Sequence, residues 1–232
     1  MYLKDSLRLI SEYFLISIEQ IRKIYLNSSI YNIKISRTES GSLIYKPNVS
    51  VLNCIIKYGK TRNKIEDLNI DTLWEKENLV KKDSKKIHNF YWLFAIDLKS
   101  SNLTLQKTIE KWIDKYQNYN SSNWQIDILS KRVISWISNS KLTYEEAGNN
   151  YKSKFDKIIN KQINHLIIEI SRSKNVDDKM IGCAAIILGG LSYNNTKFLT
   201  FGLGLLKKII KDSFDNNYFP KSRSIRQLIF YL

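Results

Sequence analysis

All five tryptophans of this 232-residue chain, Trp74, Trp92, Trp112, Trp124 and Trp136, fall in one stretch. An indole offers a large flat face and one donor, so a cluster marks either a specified core or a surface on which sugar rings stack. Trp124 follows the polar run 120–123 and opens a helix, where its ring is best placed to reach a cleft beside Asn123. Trp112 and Trp136 lie at helical spacing and are expected to pack between helices. A second group capable of chemistry lies further on. Asp215, Asn216, Asn217 and Pro220 form turns readily, and they gather Tyr218, Lys221 and Arg223 into one connection between two helices. A guanidinium fork matches a carboxylate through two parallel hydrogen bonds, and a tyrosine hydroxyl can hold or move a proton.

The remaining titratable groups are sparse. His88 stands one turn before Trp92; it counts among candidate substrate-binding residues, with a hydrogen-bonded core or rim histidine as the other reading. His165, among Ile163, Leu166 and Ile167, reads as structural. Cys54 and Cys183 are far apart and form no CxxC motif, so buried free thiols are expected, with no disulfide framework, no metal and no cofactor. Asp97 and Arg132 sit in amphipathic stretches and are expected to form an ion pair.

Positioning these groups falls to helices. Gly (8) and Pro (2) are scarce, which disfavours a turn-rich all-β chain. A first helix runs from Asp5 to about Leu26, with Leu7, Ile10, Phe14, Ile18 and Ile21 on one face. From 27 to about 69 the alternation in YNIKIS and the presence of Pro47 indicate an extended, loop-rich segment. Helices are then expected over about 86–99, 104–118, 124–138, 144–172, 176–191 and 196–214. The one containing MIGCAAIILGGL is apolar nearly all round and expected to be buried. A last helix starts near Arg223 and is still apolar at Leu232, as if the polypeptide continued. Two regions result: 1–84, a helix with a loop-rich segment, and 85–232, antiparallel helical hairpins without a repeat of fixed period.

Three stretches carry a resemblance: HNFYWLFAIDL at 88–98, NWQIDILSKRVISWI at 123–137 with Arg132 and Trp136, and FDNNYFPKSRSIRQL at 214–228 with Asp215, Ser222, Arg223 and Gln227. In order and spacing they resemble the N-terminal region of the heparinase II/III family of polysaccharide lyases, over about 45–232. The resemblance implies an all-α fold, an incomplete α/α toroid of helical hairpins, which in the family is followed by a β-sandwich. It also implies β-elimination on a uronic-acid-containing polysaccharide. One group masks the C5 carboxylate, a base takes the C5 proton, and an acid protonates the departing oxygen. On this reading Tyr218 and Arg223 are the catalytic candidates, and Arg223, Lys221, Trp124, Asn123 and His88 bind substrate. The chain departs from the pattern where Tyr218 stands for the motif histidine and Ser224 for its asparagine.

The net charge of +15 and pI near 9.6 suit an anionic partner. The richness in Ile, Lys and Asn also fits A/T-rich codons, and the lysine runs at 81–86 and 207–211 read as solvated faces. An acidic polysaccharide is the expected partner, either for elimination or for binding without chemistry. Nucleic acid is the less favoured rival, since neither a helix-turn-helix signature nor an RNP-type aromatic motif occurs. No membrane-spanning stretch and no signal peptide are read from the sequence. The missing export signal points to the cytoplasm, whereas the family activity suggests the periplasm; oligomeric state is open.

Overall fold

Helix α1 (Tyr2–Leu26) forms as its periodicity predicts, but Phe14, Ile18 and Ile21 remain exposed. Among its described side chains, Leu26 at the C-terminal end joins the core. The computed structural model describes residues 2–37, 41–47, 81–213 and 221. Within the segment read as extended, Ser29–Ser36 is a helix, α2. The Ser28 side chain accepts from the Tyr31 backbone N–H, which satisfies one of the first-turn donors. Tyr31 and Ile35, four residues apart, then face the core together. A cap and an i, i+4 pair outweighed the alternation of YNIKIS. Residues 41–47 have no regular secondary structure, in keeping with a loop-rich segment, and insert Leu43 into the core.

The expected helix over 86–99 is broken. Helix α3 (Lys81–His88) ends at His88, and a 3₁₀ turn covers Tyr91–Ala95. Between them Phe90 takes a left-handed backbone, φ 56°, at a cost of roughly 1–2 kcal/mol. Asn89 supports the turn by accepting from the Tyr91 N–H at 2.9 Å. The break turns the Phe90 ring into the core, edge-on to Trp112 and Trp136, with ring centres 6.0 and 5.0 Å away. A continuous helix would have carried that ring elsewhere. Burial of an aromatic side chain, worth about 1.5–3 kcal/mol, offsets the backbone cost.

Five further helices follow: α4 (Asn102–Tyr116), α5 (Ile126–Ser138), the single turn α6 (Ser140–Thr143), α7 (Asn149–Glu169) and α8 (Val176–Ser192). Then comes α9 (Thr196–Ser213). The helix expected over 144–172 starts later than the sequence suggested and ends in a 3₁₀ turn, Ile170–Arg172. Ser101 caps α4 and Asn175 caps α8, where Asp177 and Asp178 also favour the positive helix end. The described residues form an all-α fold built from helical hairpins. Helix α7 packs against α2, α4, α5 and α8, and α8 packs against α5 and α9.

Helix α8 is not buried all round. Gly182, Cys183, Ala185, Ile186, Gly189 and Gly190 face neighbours, while Ala184 and Leu191 face outward. Its small residues let neighbours approach closely: a Cβ on Gly190 would lie 2.7 Å from the backbone nitrogen of Leu199 on α9. The Cys183 thiol donates to the Gly202 carbonyl, and burial pushes its pKa up to about 11. Cys54 and Trp74 lie outside the described residues.

Trp112 and Trp136 are fully buried, as expected, with ring centres 5.4 Å apart and planes nearly perpendicular. Trp136 also stacks on Phe155 of α7 at 5.4 Å. Replacing either tryptophan by alanine should cost about 3–5 kcal/mol in unfolding free energy, measured by urea denaturation. Unchanged midpoints in both variants would show that these rings do not hold the hairpins together.

Candidate functional site

Three of the sequence-derived site residues, His88, Asn123 and Trp124, converge inside the protein. Arg132 of α5 gathers the first two: its Nη1 donates to the carbonyls of His88 at 2.9 Å and Asn123 at 3.1 Å. Its Nε donates to Oε1 of Gln162 at 3.2 Å, and its guanidinium lies 4.2 Å from the centre of the Trp112 ring. Arg132 is fully buried, and desolvation lowers its pKa to about 9. The ion pair expected with Asp97 is not formed. Arg132 uses neutral acceptors and an aromatic face, while Asp97 accepts from the Lys99 backbone at 3.0 Å. The 3₁₀ turn after Phe90 carries Asp97 away from the register a continuous helix would have set.

His88 is 8% exposed. Its Nδ1 accepts from the Trp112 indole N–H at 3.0 Å. Since that N–H can only donate, the imidazole is neutral with its proton on Nε2. Burial first, then the Arg132 and Lys115 charges, push its pKa down to about 4. Trp124, 1% exposed, donates to the Tyr116 carbonyl at 3.2 Å and lies edge-on to His165. His165 in turn sits with Nδ1 2.7 Å from the Tyr31 hydroxyl, and its pKa falls to about 3, mainly by burial. Lys221 is exposed; its backbone N–H donates to the Ser213 carbonyl at 2.8 Å and its ammonium to the Lys211 carbonyl at 3.4 Å. Tyr218 and Arg223 lie outside the described residues.

Open space lies on either side of the Tyr31–Tyr119–Trp124 aromatic group. On one side a cleft of about 470 Å³ is bordered by Arg22, Tyr119, Trp124, His165 and Glu169, with Arg22 and Glu169 paired across it. On the other, a groove of about 740 Å³ opens between the C-terminal ends of α2 and α4 and the middle of α7. A compartment of about 560 Å³ shares Ser36, Arg37, Gln117 and Lys161 with it and adds Asn32 and Asn118.

The groove is basic. Among the described residues, Arg37, Lys154, Lys157 and Lys161 line it against one carboxylate, Asp114. Lys154 is held by Glu110 at 2.8 Å and Asp114 at 3.4 Å. Arg37 and Lys157 are exposed and have no ion-pair partner among the described residues. Lys161 is buried; its ammonium donates to Asn118 Oδ1 at 3.0 Å and stands 5.9 Å from the Trp124 ring centre. Desolvation pulls its pKa down to about 8. The C-terminal ends of α2 and α4 direct partial negative charge into the same space, which helps hold these cations there without a ligand. Gln117, Asn118 and Asn160 supply amides suited to hydroxyl groups.

None of these groove residues stood out in the sequence. Lys154, Lys157 and Lys161 are spaced i, i+3 and i+7, which places them on one face of α7, but the apolar stripe of that helix is the stronger pattern. Arg37 follows a helix that was read as extended chain. No family model, curated protein or solved structure matches this chain. No helix among the described residues is long and apolar enough to cross a membrane.

Two outcomes follow from the buried groups. Arg132→Lys should lower stability by about 1.5–3 kcal/mol in chemical denaturation, because a single ammonium cannot reach three carbonyl oxygens and stack on Trp112 together. An unperturbed midpoint would show the fork to be dispensable. Stability should also depend on pH. Both histidines have folded-state pKa values below the ordinary 6.5, so their contribution is fully present above about pH 6.5. It is lost as pH falls, down to about pH 4 for His88 and about pH 3 for His165. Each adds a slope of up to about 1.4 kcal/mol per pH unit. Asp156, whose pKa is raised by burial, acts in the opposite sense. Urea unfolding between pH 7 and 4, compared with that of His88→Gln and His165→Gln, reads the histidine part of the slope; a profile unchanged in both variants would mean that both rings keep access to water.

Proposed function

We propose that this chain is the α/α-toroid portion of a heparinase II/III-like polysaccharide lyase and that it binds an acidic polysaccharide in the groove between α2, α4 and α7. The observation that carries the reading is the groove itself. It offers cations for carboxylates, amides for hydroxyl groups, and room for several sugar units. The motif order at 88–98, 123–137 and 214–228 and the hairpin architecture support it, and the net charge of +15 agrees with the sign of the ligand.

In this reading α7 supplies the floor of the binding track, and Arg37 and Lys157 pair with uronate carboxylates. Elimination needs three functions at one sugar: masking of the carboxylate charge, removal of the C5 proton and protonation of the leaving oxygen. Arg223 would mask the carboxylate and Tyr218 would handle a proton. Serine at 224 in place of the family's asparagine removes an amide that could share the charge. That substitution favours a second reading, in which the same groove binds an acidic glycan without cleaving it.

One experiment separates the two. Binding and turnover of uronate polymers are followed together, turnover as the new ultraviolet absorbance of the unsaturated product. Arg37→Ala/Lys157→Ala should weaken binding about ten-fold or more, as two charge-assisted contacts are lost. Arg223→Ala should abolish turnover while weakening binding less than the double variant does. Binding without any absorbance change in the unaltered protein would establish the non-catalytic reading. Equal affinity of the double variant would overturn the groove as the binding site. Binding to any polyanion with the same steep salt slope would support the nucleic-acid rival instead.

A further inference from the structure

We infer that the groove takes a run of adjacent uronate residues, a homopolyuronate block, in preference to a polymer whose acidic sugars alternate with neutral ones. This inference rests on the polysaccharide-binding reading above and names the substrate class of that same groove.

The argument starts from the spacing of the cations. Lys154, Lys157 and Lys161 climb one face of α7 at roughly 4.5 and 6 Å intervals along the axis, given the 1.5 Å rise per residue. A 1→4-linked pyranose is about as long as one turn of an α-helix. A glycan running along α7 therefore meets one cation per sugar. At one end of the row Glu110 and Asp114 already neutralise Lys154. Toward the other, Lys157 and Lys161 stand one turn apart, and Arg37 faces the same space from the end of α2.

Adjacent carboxylates would neutralise Lys157 and Lys161 at successive sugars. A polymer with acids on alternate sugars would leave one of the two cations beside a neutral ring. That omission is costly at Lys161, whose ammonium is largely desolvated and has only Asn118 as a hydrogen-bond acceptor among the described residues. Burial alone draws its pKa down to about 8, so an anion arriving beside it would recover much of what desolvation costs the charged form. Among the described residues, no aromatic side chain lines either compartment of the groove. Recognition there runs through charge and hydroxyl groups, and the stacking platform expected of a single-stranded nucleic-acid site is missing from that lining.

The test compares ligands of equal total charge by isothermal titration with the whole chain. A homouronate tetramer carries the same four carboxylates as an octamer in which uronate alternates with neutral sugar, so spacing alone separates them. The tetramer should bind about ten-fold more tightly, the size of one charge-assisted contact. Lys157→Gln is exposed and should fold normally, as circular dichroism can verify, and it should erase most of that preference. Equal affinities for the two oligomers would overturn the inference and leave the polysaccharide reading standing. A preference that survives in Lys157→Gln would also overturn it, since the row on α7 would not be what reads the spacing. Failure of both oligomers to bind would remove the polysaccharide reading itself. Tighter binding of an oligodeoxynucleotide of the same charge would assign the groove to phosphates and overturn both.

Discussion

The guanidinium of Arg132 has no contact with water, and five pieces of the chain meet on it. It comes from α5, stacks on Trp112 of α4, and bonds to Gln162 of α7. It also fixes the carbonyls of His88 at the end of α3 and of Asn123 before α5. A buried cation without a counter-charge is costly unless its donors find acceptors. Here Nε and Nη1 meet an amide oxygen and two backbone carbonyls, while Nη2 has no hydrogen-bond partner among the described residues. The geometry is demanding because the fork is rigid. If α3 ended a residue later, or the 117–125 connection shifted, a carbonyl would leave the guanidinium plane and the charge would lose a partner. Arg132 thus sets where two irregular segments can lie, the end of α3 and the connection before α5.

That constraint propagates to the neighbouring rings. Trp112, held beneath Arg132, donates to His88 and so fixes that imidazole as neutral. Phe90, turned inward by its left-handed backbone, fills the corner between Trp112 and Trp136. On the far side of Asn123 the Trp124 ring covers His165, whose Nδ1 meets Tyr31 of α2. A second polar knot lies along α7, where both carboxylate oxygens of buried Asp156 accept from tyrosines, Tyr144 at 2.9 Å and Tyr193 at 2.8 Å. These knots dock α2, α4 and α8 onto α7. The basic groove is what remains between α2 and α4 once both are docked.

Much of the helical framework was legible in the sequence, because apolar residues at 3.6-residue spacing have one way to bury a common face. The helices around Trp112, Trp136, Phe155 and Phe198 fall close to where their periodicity places them. The errors fall where a local polar group competes with periodicity. Ser28 capped a helix inside an alternating stretch, and Asn89 with Phe90 broke a helix that hydrophobicity would have continued. The candidate site was read less well. His88, Asn123 and Trp124 do come together, but as buried partners of one arginine. Tyr218 and Arg223 lie outside the described residues.

By itself the sequence determined the helical class, the packing role of Trp112 and Trp136, and the strong positive charge of the chain. Each follows from residue type or from spacing within a single helix, and both are local properties. Only the tertiary structure decided that Arg132 would be satisfied by carbonyls and an aromatic face in place of Asp97. It alone also brought Arg37 and the α7 lysines to line one groove. Those outcomes depend on how far segments separated by tens of residues approach one another, a distance fixed by the packing of α2, α4 and α7 together and carried by no single stretch of the chain.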